Sequence, residues 1–254
     1  MNKTMSRLLL LVQFLLAAAF GWLIFVMTMR FAEGTSVLSF EEIGKLWSKA
    51  LVLILTLFIN VMFRIKHRAR NPEGELLPMM FLFMTLECST ILPDYFIETG
   101  KLFLDPVAMN VMVRFSLLFC SALFVFKSLT FMGTTTGQTG NMVLLSFIVT
   151  LVFSMFAPND SLVSSAVRNF GSVYDTYFYV AIQIMNLCSL ITFIVAAVTD
   201  KTGHNIKRSI TYALLMIGNF GIFLYSAFTT IIIMDVLFLT GAVMLLTRTR
   251  DSYW

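Results

Sequence analysis

Glu87 lies inside LLPMMFLFMTLECSTILPDYFI, residues 76–97, far from any loop that would hydrate it. Three further ionisable residues, Arg114, Asp175 and Asp235, also interrupt long apolar runs. A charge at the centre of a membrane-spanning helix costs at least ~2.5–3.5 kcal/mol, so such groups turn toward protein or water. At a rise of ~1.5 Å per residue, Glu87 is about 16 Å from the inner end of its run and about 14 Å from the outer end. On the same scale Arg114 lies about 10 Å below the outer surface, Asp235 about 8 Å, and Asp175 shallower still. Residues 76–97 and 107–127 are consecutive runs joined by a short loop, and such elements usually pack side by side. A Glu87–Arg114 pair is therefore within reach.

The common height of these groups suggests a polar cavity opening outward. Arg114 would hold an anionic group or neutralise Glu87, and Asp235 would bind a cation or carry a proton. Gln183, Asn186 and Asn219 add uncharged polarity deeper in the bundle, or act as interhelical glue. The competing reading is an ion pair and hydrogen bonds that lock helices together. Asp175 is more simply an interfacial carboxylate stabilised by a helix N-terminus. Asp94, in the last turn of its run, is within reach of interfacial water.

Enzyme signatures are scarce. The two histidines, His67 and His204, fall outside the apolar runs, and no H-E-x-x-H, G-x-S-x-G or Cys/His cluster occurs. Glu41-Glu42 is explained by helix capping. GTTTGQTG at 133–140 lacks the G-K-[ST] of a phosphate loop and reads as a flexible inner loop. No cofactor or metal is expected. A carboxylate-only reaction through Glu87 and Asp235, on a lipid-soluble or outward-entering substrate, is the one enzymatic route left. Cys88, Cys120 and Cys188, all within apolar runs, read as small buried hydrophobes.

The elements that position these residues follow from composition. The chain is 58% hydrophobic and 13% charged, against about 25% charged in soluble domains. Its mean hydropathy is +0.86. Polar surface is too scarce to cover a globule in water, and long runs that do not alternate favour helices over a barrel. Eight spans are expected, at about 8–30, 46–63, 76–97, 107–127, 141–157, 173–198, 209–227 and 230–247, with the last two divided near residues 227–230. The first is too long for a signal-peptide core and is expected to be retained. With the N-terminus inside, 12 of the 18 lysines and arginines fall on the inner side and five outside. That bias places both termini in the cytoplasm.

Smaller signals fit this frame. Ser39 and Glu42 form a capping box, opening an outer interfacial helix on which Phe40, Ile43, Leu46 and Trp47 share a face. PNDSLVSSAVRNFGS, residues 158–172, reads as a second interfacial turn. Trp47, Tyr95, Tyr174, Tyr177 and Tyr225 fall near outer ends, and Tyr212, Tyr253 and Trp254 near inner ends, as an aromatic belt. Lys127 sits where it can snorkel to the inner interface. The basic run from Arg64 to Arg70 sets topology, or grips anionic headgroups or an acidic partner. The net charge of +4 is too small and too membrane-proximal to suggest nucleic acid.

The expectation is an all-α, polytopic transmembrane helix bundle, residues 1–254 forming a single domain in the plasma or cytoplasmic membrane. Its function is transport of a small molecule or ion, or ligand sensing, through an outward-facing site of Glu87, Arg114 and Asp235. The alternative is a non-catalytic membrane subunit or scaffold that docks a membrane or cytoplasmic protein.

Overall fold

The computed structural model describes residues 3–66, 73–101, 104–132, 136–156, 173–199, 204–224 and 227–251. The helices are α1 (Lys3–Ala32), α2 (Phe40–Lys66), α3 (Glu73–Glu87), α4 (Ile91–Thr99), α5 (Pro106–Phe131), α6 (Thr136–Phe156), α7 (Val173–Thr199), α8 (His204–Leu224) and α9 (Phe228–Asp251). A 3-10 turn, Cys88–Thr90, joins α3 to α4 in a single rod. No strand occurs among the described residues.

The described residues of the eight expected runs are helical save Ala227; α8 ends at Leu224 and α9 already begins at Phe228, where the division had been expected near 227–230. Six rods are long and apolar enough to cross a membrane: α1, α2, α3–α4, α5, α7 and α9. The expected eight is thus six by length and composition. In α6 the apolar stretch shortens to Gly140–Met155. In α8, Lys207, Arg208 and Asn219 dilute the apolar content. Yet α8 is an inner helix, with Tyr212, Leu215, Met216, Asn219 and Phe220 buried. A helix enclosed by protein can be more polar than one facing lipid.

Local signals fix several boundaries. Glu42 Oε2 accepts from the Ser39 N–H at 2.7 Å while Ser39 Oγ accepts from the Glu42 N–H at 3.3 Å, a reciprocal capping box. Gly100 ends α4 at φ +67°, a left-handed conformation that suits glycine. Asp105 caps α5 by accepting from the Val107 N–H, with Pro106 at the first helical position.

Several expectations are corrected. The interfacial helix is not separate from the second span, because α2 runs unbroken from the capping box. Its residues do not share a face: Ile43 and Leu46 are buried, while Phe40 and Trp47 point outward. Tyr95 and Tyr212 belong to the interior rather than to a belt, whereas Tyr177 is exposed. Lys127 does not reach the interface. It is fully buried, its Nζ 4.8 Å from the centroid of the Tyr212 ring and 5.3 Å from that of Phe131. Cys88 and Cys120 are buried but Cys188 is exposed. Residues 158–172 and the side chains of Tyr174 and Asp175 lie outside the described parts.

The α3–α4 rod and α5 form the centre of the bundle. Phe83, Phe115, Phe119 and Phe147 interlock edge to face where α3, α5 and α6 meet, with Phe83 and Phe119 centroids 4.5 Å apart. The ring contacts also give helix directions. Arg114 meets Phe178 near the starts of α5 and α7, and Phe131 meets Phe193 near their ends, so these helices run parallel. The approach of Gly44 to the Phe228 ring and the Ser48–Asp235 bond follow the same order along α2 and α9, so these two are also parallel. The hairpin of α8 and α9 is antiparallel and close: a Cβ at Gly218 would sit 2.5 Å from the Phe238 backbone nitrogen, and one at Gly241 2.8 Å from that of Leu215.

Candidate functional site

Glu87 closes α3 and is fully buried. Directly after it the helix tightens into the 3-10 turn, a distortion that often marks a functional position in a long helix. Asn219 Nδ2 on α8 donates to Glu87 Oε2 at 2.5 Å. The Cys120 thiol of α5 lies beside the carboxyl. Glu87 Oε1 and Asn219 Oδ1 are buried and have no hydrogen-bond partner, as do Ser89 Oγ and Thr90 Oγ1 on the turn. Buried polar atoms nearly always have partners, so this concentration is unusual.

The same layer continues through α2 to α9. Cys88 Sγ lies 3.7 Å from the Lys49 carbonyl. The preceding residue, Ser48, donates from Oγ to Asp235 Oδ2 at 2.6 Å. The other oxygen of Asp235 is buried without a partner. Asn219 and Asp235 are level, because the flanking residues Gly218 and Gly221 press on Phe238 and Met234. Lys49 turns the other way, its Nζ donating to Asp94 Oδ2 at 3.2 Å and to the Thr90 carbonyl at 3.4 Å. Asp94 is therefore half of a cross-helix ion pair.

Arg114 lies on α5 six residues before Cys120, and it faces a different helix. Its guanidinium stands over the Phe178 ring of α7, 5.4 Å from the centroid. Among the described residues no hydrogen bond or ion pair joins any two of Glu87, Arg114 and Asp235. They occupy three interfaces: α3 with α8, α5 with α7, and α2 with α9. Of the deeper amides, Asn219 is buried, Asn186 is half-buried and Gln183 is exposed on α7.

Two polar clusters were not anticipated from the sequence. Gln13 Nε2 on α1 donates to Thr85 Oγ1 at 3.1 Å and to the Phe81 carbonyl at 3.3 Å. Asn60 Nδ2 on α2 donates to Gln13 Oε1, and the hydroxyls of Thr56 and Thr85 are 3.2 Å apart. All four side chains are buried. The signal was there, since Gln13 and Asn60 each stand alone in an apolar run. At the end of α4 Glu98 accepts from Ser36 Oγ and the Val37 N–H at 3.0 Å each, and pairs with Arg30 Nε at 3.4 Å. It pins the α1–α2 loop to the end of α4.

Helices of this length and apolarity around a buried polar interior are compatible with a multi-pass membrane protein. No protein-family model matches the chain, and neither a curated protein nor a solved structure matches it.

Proposed function

We propose that the chain is an integral membrane protein that carries or senses a small cation or proton through a polar layer around Glu87, with Asp235 in the same layer and Arg114 flanking it across α5. The observation that supports this most is the set of acceptor oxygens without donors: Glu87 Oε1, Asn219 Oδ1 and Asp235 Oδ1, with the Ser89 and Thr90 hydroxyls alongside. Oxygens without donors suit a cation or a proton. They gather where the rod is distorted, and irregular backbone at membrane depth is a recurring feature of ion-binding sites.

In this reading all eight rods cross. Helices α5 and α7 run parallel, so the chain returns through α6. The same holds for α8, since α7 and α9 both run from the outer side inward. The even count, with the inward bias of Lys and Arg, puts both termini in the cytoplasm. The test is flux in reconstituted vesicles. Protons driven by a potassium diffusion potential are followed with an internal pH dye, and sodium entry is followed separately. Wild type should move one of the two, and Glu87→Gln should lose that movement while inserting normally. Wild-type vesicles indistinguishable from protein-free vesicles for both ions contradict a carrier.

One observation favours the second reading, a membrane subunit. Gln183 is exposed on α7, ten residues from the start of that helix, so about 15 Å along it. An amide facing hydrocarbon at that depth is satisfied by a neighbouring helix. If a stoichiometric partner co-purifies in mild detergent and is released by Gln183→Leu, the subunit reading gains over the carrier.

A further inference from the structure

The Glu87–Asn219 contact supplies one of the two hydrogen bonds that a carboxyl–amide ring needs. The amide N–H reaches one carboxyl oxygen, while the other carboxyl oxygen and the amide oxygen both lack donors. Each orphan is bonded to the same carbon as an atom already in the contact, so rotation of the amide plane about that contact can bring the two face to face. A single hydrogen on Glu87 Oε1 serves both: Oε1–H donates to Asn219 Oδ1 while Asn219 Nδ2–H donates to Oε2. We infer that Glu87 and Asn219 form a proton-binding site, in which Glu87 is a neutral carboxylic acid held in a two-bond ring with the Asn219 amide. This deepens the proposed function by naming the species held, and it rests on that reading only for what the proton does afterwards.

The surroundings agree. On its own rod Glu87 is followed by Cys88, and from α5 it meets Cys120. The buried or half-buried cations on the helices packed against it are directed elsewhere: Lys49 of α2 toward Asp94 of α4, Arg114 of α5 toward Phe178, and Lys127 of α5 toward the Phe131 and Tyr212 rings. On α9, Asp235 is bonded to Ser48. The Gln13, Asn60 and Thr85 cluster one turn inward carries no charge. With no cation against it, a fully buried carboxyl is most cheaply accommodated by carrying its proton and donating it.

Infrared spectroscopy of the purified full chain in lipid nanodiscs at neutral pH tests this. A protonated-carboxyl stretch that moves to lower frequency in deuterium oxide should be present in wild type and missing from Glu87→Gln. The glutamine keeps both ring bonds, so its melting temperature should match wild type. Asn219→Leu should retain the band but move it to higher frequency, because the acid loses its acceptor. A wild-type spectrum that matches Glu87→Gln in this region means that Glu87 is ionised and overturns the inference. A band untouched by Asn219→Leu overturns the ring. Either failure leaves cation flux open to its own measurement, and a present band without flux retains the proton site while rejecting the carrier.

Discussion

Asn219 donates a hydrogen bond to Glu87 across 132 positions of sequence, tying the break between α3 and α4 to the middle of α8. Around that contact extends the layer of unpartnered oxygens, from Glu87 Oε1 and Asn219 Oδ1 to Asp235 Oδ1.

Removing the amide should cost more than an ordinary polar substitution. Asn219→Ala leaves Glu87 buried without its donor, and stranding a buried polar group costs ~1–3 kcal/mol. A melting curve of the detergent-purified variant should fall clearly below that of Gln183→Ala, whose amide is exposed. Equal melting temperatures would mean that Asn219 does not bear on Glu87.

The α8–α9 hairpin should be intolerant of a single methyl group. Gly218→Ala drives a Cβ to 2.5 Å from the Phe238 backbone, where no flexible side chain can yield. Overpacking of this kind costs ~1–3 kcal/mol. Gly21→Ala meets nothing within 4 Å and should be neutral or stabilising by up to ~1 kcal/mol, as expected for glycine in a helix interior. Thermal melts of the two variants check the contrast.

The Gln13–Asn60 bond should show coupling in a double-mutant cycle. Gln13→Leu and Asn60→Leu each strand a partner, so the double variant should lose less than the two losses added. Interhelical bonds in membranes average ~0.6 kcal/mol in such cycles. Additive losses would show that α1 and α2 are not joined there.

The topology can be read by labelling. Thiols introduced at Gly34 and Lys101, in the turns after α1 and α4, should react with an impermeant maleimide from outside intact cells. A thiol at Arg250, near the end of α9, should react only after the membrane is opened. External reaction at Arg250 would mean that α6 and α8 do not both cross.

The helices were legible because each apolar run is long and the turns between them carry their own chemistry. The Ser39–Glu42 box needed no tertiary knowledge, and the division expected near 227–230 falls only a few residues from the start of α9 at Phe228. Glu87 was legible as a buried group, since no loop is near it. Its partner was not. Arg114 has the matching charge and, counted along the sequence, a similar height, but height fixes only one coordinate, and the face of α5 that carries Arg114 turns to Phe178. Asn219 and Gln183 read alike as lone amides in apolar runs, yet one is enclosed and the other exposed. Lys127 shows the same limit. Its position near a helix end suggested water, while the Tyr212 ring of a distant segment encloses it.

The central claim is that Glu87 faces α8 inside the bundle at the height of Asn219. Disulfide trapping tests it most directly. With Cys88, Cys120 and Cys188 replaced by alanine, the pair Glu87→Cys and Asn219→Cys should cross-link rapidly under mild oxidation in native membranes, and Glu87→Cys with Val236→Cys should not. Cross-linking of the second pair but not the first would contradict the account.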